Sequence, residues 1–486
     1  MANLKSLAKD TAIYGLSSIA ARFIGYLLVP IETVKFNAAG GQYGIITNIY
    51  AYVALLIILL TYGMETTFFR FMNRQGEDAE KVYATTLRLV ATTSVLFIAL
   101  VALFLHPIAD GIGYPDHPEF IMIMGACVAI DAFINIPLAY LRYAHRPVKF
   151  VSIRLISIVV NIVGVLLYLV VFPYFKINFL GLYDENFSLH VVYVFWIELA
   201  GSVITLFFLG KELKGFRFPF DKATCKRMLN YTWPLLIMGL AGQLNQTASQ
   251  IIFPWMYNGN AQEARMELGI YGACIKLAMI MVIITQAFRY AYEPFVFGKT
   301  KDKDNKETYA KAMKFYIIFT LLAFLSVMAY MDILRYIVGK SYWEGLQIVP
   351  IVMAAEIMFG IFWYKLIDRT IWGAYFSGIG AVILIGVDLL LIPYFSYWAC
   401  AWAGFASYGV SMLLSYAFGQ KYYPIRYPLI AAVLFALISL SNARLPMLGA
   451  LTVNTLLVGC FVVIIVKRNF SPESFVKIKN KFKSKV

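Results

Sequence analysis

Residues 43–65 read YGIITNIYAYVALLIILLTYGME, a stretch in which no charged side chain precedes Glu65. About 20 consecutive apolar residues are enough for one helix to cross a hydrocarbon core about 30 Å thick. The sequence therefore predicts a membrane-spanning helix here, and similar stretches recur along the chain of 486 residues. Overall 61% of the residues are hydrophobic and 14% are charged, against about 25% charged in an average soluble domain, so a water-soluble protein is excluded.

About 14 spans are expected, because apolar segments of this length are joined only by short connections. The predicted fold class is an all-α polytopic membrane protein. The spans are predicted at residues 11–34, 43–65, 84–105, 119–141, 150–172, 189–209, 228–255, 267–288, 315–331, 345–364, 371–392, 398–418, 427–440 and 447–466.

The distribution of charge predicts how these spans are oriented. The chain has 42 Lys and Arg against 27 Asp and Glu, a net charge of +15. With a cytoplasmic N-terminus, most cations fall in cytoplasmic segments, which fits the positive-inside rule with both termini cytoplasmic. The other side then holds only Lys35, Lys176, Arg265, Arg335, Lys340 and Arg444. The asymmetry explains the charge excess without nucleic acid as a partner and predicts a multi-pass protein of an inner, energised membrane.

Two stretches suggest an internal repeat. Residues 10–32 read DTAIYGLSSIAARFIGYLLVPIE, and residues 231–256 read YTWPLLIMGLAGQLNQTASQIIFPWM. Each begins near a Thr, carries polar residues in mid-span, meets a Pro and precedes a Tyr-Gly pair. We therefore predict two parallel six-helix bundles, at residues 1–210 and 228–420, joined by a cytoplasmic linker at 211–227. Two extra helices and a basic cytoplasmic tail fill residues 421–486. Transporters built from such repeats bind their substrate near the midplane between the halves.

Four short stretches carry a family resemblance. They are KDTAIYGLSSIAARFIGYLLVPI, GGQYGI, ETTFFRF and QAFRYAYEPFVF, at residues 9–31, 40–45, 65–71 and 286–297. They resemble Wzx-type polysaccharide and O-antigen flippases of the multidrug/oligosaccharidyl-lipid/polysaccharide (MOP) exporter superfamily. The resemblance implies two six-helix bundles plus two helices. It also implies that an undecaprenyl-pyrophosphate-linked oligosaccharide moves from the cytoplasmic to the outer leaflet by alternating access, as in lipopolysaccharide assembly. Other polysaccharide-assembly proteins are then candidate partners.

Two cations lie near the middle of predicted spans, Arg22 in the first and Lys276 in the eighth. A charge at mid-membrane costs about 2.5 to 3.5 kcal/mol on insertion scales, so it normally faces a cavity or a partner. Cations of this kind suit a pyrophosphate, because Arg offers a planar fork of donors and Lys a point charge. Ser18 shares a helix face with Arg22 and joins the predicted binding site. The alternative is that each cation pairs with a buried acid to fix the helices in register.

Mid-span acids outnumber the mid-span cations. They are Asp131, Glu198, Glu356 and Asp388, and Glu32 lies near the outer end of the first span. Each is a candidate to bind a coupling H⁺ or Na⁺, and structural pairing or placement at a helix end is the alternative. No cofactor is expected besides such an ion.

The seventh span carries no charge but has a polar stripe. Gln243, Gln246, Thr247 and Gln250 recur at three- and four-residue spacing, which places them on one helix face. Amides and hydroxyls suit sugar hydroxyls, so Gln243, Thr247 and Gln250 are predicted to bind substrate. Asn161 in the fifth span is a further candidate of this kind. Hydrogen bonds between spans are the alternative for all of them.

A cytoplasmic gate is predicted where the second and eighth spans end. Glu65 and Arg70 close the second span, and Arg289 and Glu293 close the eighth. The hypothesis is that Glu65 pairs with Arg289, or Arg70 with Glu293, when the cavity opens outward. Ordinary interfacial ion pairs, each contributing about 0 to 1 kcal/mol, are the alternative.

Several other classes of protein are disfavoured. The chain has no Gly-x-x-x-x-Gly-Lys-Ser/Thr loop for ATP, and its outer loops are too short for a catalytic domain, so we expect no enzyme. The five cysteines and four histidines show no paired spacing, so neither a disulfide nor a metal site is expected. The basic tail favours contact with anionic membrane lipids. A multidrug or cation exporter of the same superfamily is the main alternative function, and a non-transporting scaffold is another.

Overall fold

The computed structural model describes residues 26–178, 181–184, 187–297, 305–358, 364 and 371–422. These residues form helices joined by turns, and no strand occurs among them. The principal helices are α1 Gln42–Thr61, α2 Ala79–Leu103, α3 Pro118–Tyr143, α4 Pro147–Leu166, α5 Val191–Phe208, α6 Lys222–Met256, α7 Ala261–Phe297, α8 Asn305–Ala329, α9 Val349–Met358, α10 Ile371–Phe395 and α11 Tyr397–Tyr422. The predicted all-α fold is confirmed.

Seven helices in the described ranges are long and apolar enough to cross a membrane, and a bent pair, Met313–Ala329 with Met331–Ile337, would be an eighth span. Large apolar side chains cover their outer faces, as with Phe207 (83% exposed) and Val382 (72% exposed). Such exposure in a water-soluble protein would be costly, so these faces are surfaces for lipid. The predicted spans 427–440 and 447–466, and most of 11–34, lie outside the described residues, and the total of 14 stays a prediction.

Local sequence explains where the helices begin and end. Pro118 and Pro147 occupy first positions of α3 and α4, where a missing N–H costs nothing. Gly63 has a φ of +72°, which ends α1 and lets the short helix Met64–Met72 start in a new direction. Asp221 caps α6, and its carboxylate accepts hydrogen bonds from the backbone N–H groups of Ala223 and Thr224. These bonds and the Thr224 hydroxyl hold the pKa of Asp221 below its ordinary value.

Helix α1 lies at the centre of the packing. It contacts α3 on its own side of the chain, and it packs extensively against α6 and α7 from the second half of the sequence. Helices α2 to α5 pack among themselves, as do α6, α7 and α9 to α11. We call the end where α1 begins the Tyr114 end, and the end near Gly63 the Arg70 end. The division into two six-helix bundles with the boundaries given above stays a prediction.

The segment between α5 and α6 is fastened to the helices before it. Lys149 places its ammonium 2.6 Å from both carboxylate oxygens of the buried Glu212. The hydroxyl of Tyr83 donates to the Glu212 carbonyl at 2.9 Å. At the end of the segment, the Asp221 N–H donates to the Thr85 hydroxyl at 3.2 Å.

Candidate functional site

A polar cavity of about 770 Å³ lies where α1, α4 and α5 face α6, α7, α9 and α11. Polar side chains meet there from helices that are far apart in sequence. The predicted site residues that line it are Glu32, Asn161, Glu198, Gln243, Thr247, Gln250, Lys276 and Glu356. Because the outer surface of these helices is apolar, the cavity is where the described residues offer a hydrated space to a polar ligand.

Lys276 and Glu32 reach this cavity from opposite halves of the chain. Lys276 comes from α7, and Glu32 comes from the short helix Val29–Lys35. Their charges act on each other, but neither side chain forms a hydrogen bond or an ion pair with another described residue. The ammonium of Lys276 is therefore not locked to a carboxylate in the described part of the chain, and it is free to meet an anionic ligand.

The polar stripe of α6 faces the cavity. Gln243, Gln246, Thr247 and Gln250 all line it. The Thr247 hydroxyl donates to the Gln243 carbonyl of its own helix at 3.0 Å. The three glutamine amides have no hydrogen-bond partner among the described side chains, so they are available to a ligand. Their part in binding stays a prediction.

Glu198 forms the opposite wall with two partners from other helices. The Asn161 amide of α4 donates to its carboxylate, and the Tyr50 hydroxyl of α1 donates to the same oxygen at 3.4 Å. Sequence reasoning identified Asn161 and Glu198 as separate candidates, for sugar and ion binding respectively, and did not identify Tyr50. The signal for Tyr50 was weak, because a Tyr in a span usually belongs to the packing or to the interface.

Two predicted ion-binding acids lie behind the cavity wall. Asp131 of α3 accepts a hydrogen bond of 2.7 Å from the Ser202 hydroxyl of α5. Arg154 of α4 acts on its charge. Sequence reasoning missed Arg154, because it lies close to the end of a predicted span and was counted with the cytoplasmic charges.

Asp388 of α10 is the other acid behind the wall. It is fully buried, and one of its oxygens accepts a bond of 2.7 Å from the Ser249 hydroxyl of α6. Its other oxygen, Oδ1, has no hydrogen-bond partner among the described atoms. A buried carboxylate oxygen without a donor is costly. The part of Asp388 in ion binding stays a prediction.

The predicted cytoplasmic gate is only partly within the described side chains. Glu65 forms an ion pair with Arg142 at the end of α3, and the Arg70 guanidinium lies 4.1 Å from the centre of the Tyr231 ring of α6. The side chains of Arg289 and Glu293 lie outside the described set, as do Arg22 and Ser18. The proposed cross-bundle pairs therefore stay a prediction, and in this conformation Glu65 has a partner on its own side.

The two repeat-related Tyr-Gly pairs meet at the Tyr114 end. Gly44 lies so close to α7 that an added Cβ atom would stand 1.8 Å from the Arg265 carbonyl oxygen. Gly272 lies equally close to α1, where an added Cβ would stand 2.0 Å from the Thr47 hydroxyl. Gly44 thus allows α1 to approach the backbone of α7, and Gly272 leaves room for the Thr47 side chain of α1. The repeat in the sequence pointed to these glycines, but it did not show that each one contacts the other half of the chain.

The fold defines the class of protein, a multi-pass helical membrane protein with the architecture of the MOP superfamily. Lipid II flippase MurJ in an inward closed conformation has the same fold, with a TM-score of 0.70 at 13% identity over 94% of this chain and 99% of that one. An inward-facing multidrug resistance MATE transporter gives 0.60 at 13% identity, over 85% and 94%. The MATE multidrug transporter DinF-BH gives 0.57 at 14% identity over 87% and 96%.

Residues 7–292 match the model of the polysaccharide biosynthesis protein family, so the chain belongs to that family. No curated protein matches the chain. The predicted resemblance to the MOP superfamily is confirmed in the fold, and the known proteins of this fold named above are transporters and flippases.

Proposed function

We propose that the protein is a flippase for an undecaprenyl-pyrophosphate-linked oligosaccharide. In this proposal it carries the lipid from the cytoplasmic to the outer leaflet of the bacterial inner membrane by alternating access, and it is not an enzyme. The observation that carries the proposal concerns one cavity. It is lined by the Lys276 ammonium, which has no ion-pair partner among the described residues, and by the α6 amides, which have no hydrogen-bond partner among those residues. A ligand with an anionic group followed by hydroxyl groups would use both.

The polar groups of the cavity suit different parts of the ligand. The Lys276 ammonium suits phosphate oxygens, and its attraction is stronger where little water competes. Gln243, Gln246 and Gln250 offer paired donors and acceptors that suit sugar hydroxyls. The polyprenyl chain is apolar and would remain in the lipid beside the protein, because the outer faces of the helices are apolar.

Coupling to an ion gradient is part of the proposal. Asp388 is the best-placed candidate, because one of its buried oxygens has no donor in the described part of the protein. Glu32, Glu198 and Glu356 line the cavity and can exchange protons with the water in it. Asp131 lies behind the wall with Ser202. The ion, H⁺ or Na⁺, is left open in the proposal.

A multidrug or cation exporter is the second candidate, and one observation favours it. Among the described residues that line the cavity, the carboxylates Glu32, Glu198 and Glu356 outnumber the cation Lys276. A lipophilic cation would find more attraction there than an anion would. Arg22, which lies outside the described residues, is predicted to add a second cation, and this prediction together with the polysaccharide biosynthesis family favours the flippase in our proposal.

Loss of the protein in its own bacterium provides the test. We expect undecaprenyl-linked glycan to accumulate on the cytoplasmic leaflet, and the wild-type gene to restore surface glycan. A double Arg22→Gln and Lys276→Gln variant should be made at normal level and fail to restore it. Lys35→Gln is the matched control, because Lys35 is exposed and does not line the cavity. Normal surface glycan in the double variant, together with lost efflux of a lipophilic cation dye in the deletion, would favour the exporter.

A further inference from the structure

The second proline of α6 leaves a backbone carbonyl without its helical partner beside the cavity. Pro254 lies inside the helix and has no N–H, so the carbonyl of Gln250, four residues earlier, cannot receive the usual helical hydrogen bond from that position. Gln250 itself lines the cavity. A carbonyl in this position, partly shielded from water, needs a donor from elsewhere.

Asn48 supplies that donor from the other half of the chain. Its side-chain amide, on α1, donates to the Gln250 carbonyl at 2.7 Å, and the Asn48 residue is only 1% exposed. The Tyr114 hydroxyl donates to the amide oxygen of Asn48 at 3.0 Å. Because Tyr114 satisfies the oxygen, the NH₂ group of Asn48 is directed at the Gln250 carbonyl.

Arg265, from the second half of the chain, contacts the segment that carries Tyr114. Its guanidinium donates to the Gly113 carbonyl at 3.0 Å and lies 5.1 Å from the centre of the Tyr114 ring. Two groups from the second half, the Gln250 carbonyl and Arg265, therefore hold two groups from the first half, Asn48 and Tyr114. All of these contacts lie at the Tyr114 end, beside the close approach of Gly44 to α7.

We propose that Asn48 is the gate residue that holds the Tyr114 end of the cavity closed, through its bond to the carbonyl that Pro254 leaves free. This proposal refines the proposed transport cycle, in which the Tyr114 end faces outward. The bond can be exchanged at low cost, because Gln250 borders the cavity. When the halves separate, cavity water can bond both the carbonyl and the amide, so the contact favours the closed end without locking it.

Opening can be measured by labelling a cysteine below the gate. Ala51 lies three residues after Asn48 on α1, is 1% exposed and lines the cavity. In a protein whose native cysteines are replaced, Ala51→Cys should react with a membrane-impermeant maleimide from the Tyr114 side only while that end is open. Asn48→Ala should raise the labelling rate about fivefold, which corresponds to about 1 kcal/mol for one hydrogen bond.

Pro254→Ala tests the origin of the bond. It gives residue 254 an N–H that can bond the Gln250 carbonyl within the helix, so Asn48 has less to contribute. In the Pro254→Ala background, Asn48→Ala should therefore raise labelling less than about twofold, whereas in a Pro393→Ala background it should retain the full effect, because Pro393 lies in α10. An equal effect of Asn48→Ala in the wild-type and Pro254→Ala backgrounds overturns the proposal, and so does no effect in either.

A general loosening of the fold is excluded by a second reporter. Ala132 is fully buried and lies outside the cavity lining, so Ala132→Cys should stay unlabelled in every variant. Parallel labelling of both reporters would mean that Asn48 has a purely structural role and would overturn the gate. The labelling assay needs no glycan. It can therefore refute the gate proposal while the glycan assay supports the flippase, or support the gate proposal while the glycan assay refutes the flippase.

Discussion

Adding one methyl group at Gly44 should force the Tyr114 end of the protein open. The new Cβ of Gly44→Ala would lie 1.8 Å from the Arg265 carbonyl oxygen, about 1.6 Å short of ordinary contact at 3.4 Å. Both partners belong to long helices, α1 and α7, so no flexible side chain can move aside. Overpacking of this kind costs about 1 to 3 kcal/mol, which would shift the balance between closed and open forms by about 5- to 150-fold.

The assay is labelling of Ala51→Cys from the Tyr114 side, with transport measured in parallel. Gly44→Ala should raise the labelling rate by a factor in that range and slow the transport of lipid-linked glycan, because the closed outer form is needed in each cycle. Gly40→Ala is the matched control. A Cβ at Gly40 meets no atom within 4 Å, so this variant should label and transport like the wild type.

Unchanged labelling in a folded Gly44→Ala protein would refute the reasoning, because the contact of α1 with α7 would then not limit opening. Equal effects of the two alanine substitutions would also refute it, since helix propensity rather than the contact would be responsible. A thermal unfolding measurement in detergent separates opening from misfolding. Gly44→Ala should unfold in a single transition near that of Gly40→Ala, because the open form keeps each half intact.

Three other outcomes are expected. Lys276→Met should lower glycan transport about 10- to 150-fold, because it removes a charged hydrogen bond to phosphate, whereas Lys276→Arg should retain most of the transport. The measurement is an assay of glycan in each leaflet, and equal loss in both variants would contradict a role of the charge alone. Asp388→Asn should abolish the dependence of transport on the coupling ion in proteoliposomes with imposed H⁺ or Na⁺ gradients, and an unchanged dependence would remove Asp388 from the coupling site. Lys149→Met should lower the free energy of unfolding by about 2 kcal/mol, because it leaves the buried Glu212 carboxylate without its cation. Lys81→Ala, which removes an exposed ion pair with Asp78, should lower it by less than about 1 kcal/mol. Similar shifts of the unfolding temperature in the two variants would contradict the difference.

Much of the fold could be predicted from the sequence, because a membrane restricts the choice of structure. Long apolar stretches such as 43–65 and 119–141 must be helical in lipid, and helices Gln42–Thr61 and Pro118–Tyr143 lie there. The polar stripe of α6 was predictable for a related reason. Four polar residues at helical spacing can avoid lipid only by sharing one inward face, and they do line the cavity.

The contacts between helices could not be predicted in the same way. Pro254 predicts that the Gln250 carbonyl lacks its helical hydrogen bond. Nothing in the local sequence shows that Asn48, about two hundred positions away, provides the donor. The acids show the same limit. Glu198 and Asp131 are both mid-span carboxylates, yet one borders the cavity and the other lies behind it, because the difference depends on how α3 and α5 are rotated against each other.

The fastening of the segment between α5 and α6 has a mechanical consequence. Because Lys149, Tyr83 and Thr85 hold residues 212–221 against the first half, this connection cannot act as a loose tether. Any swing of one half relative to the other must then be absorbed inside α6, which has prolines at 234 and 254 as its natural hinge points. Helix α6, which presents the glutamine amides to a ligand, would therefore also be the helix that bends during transport.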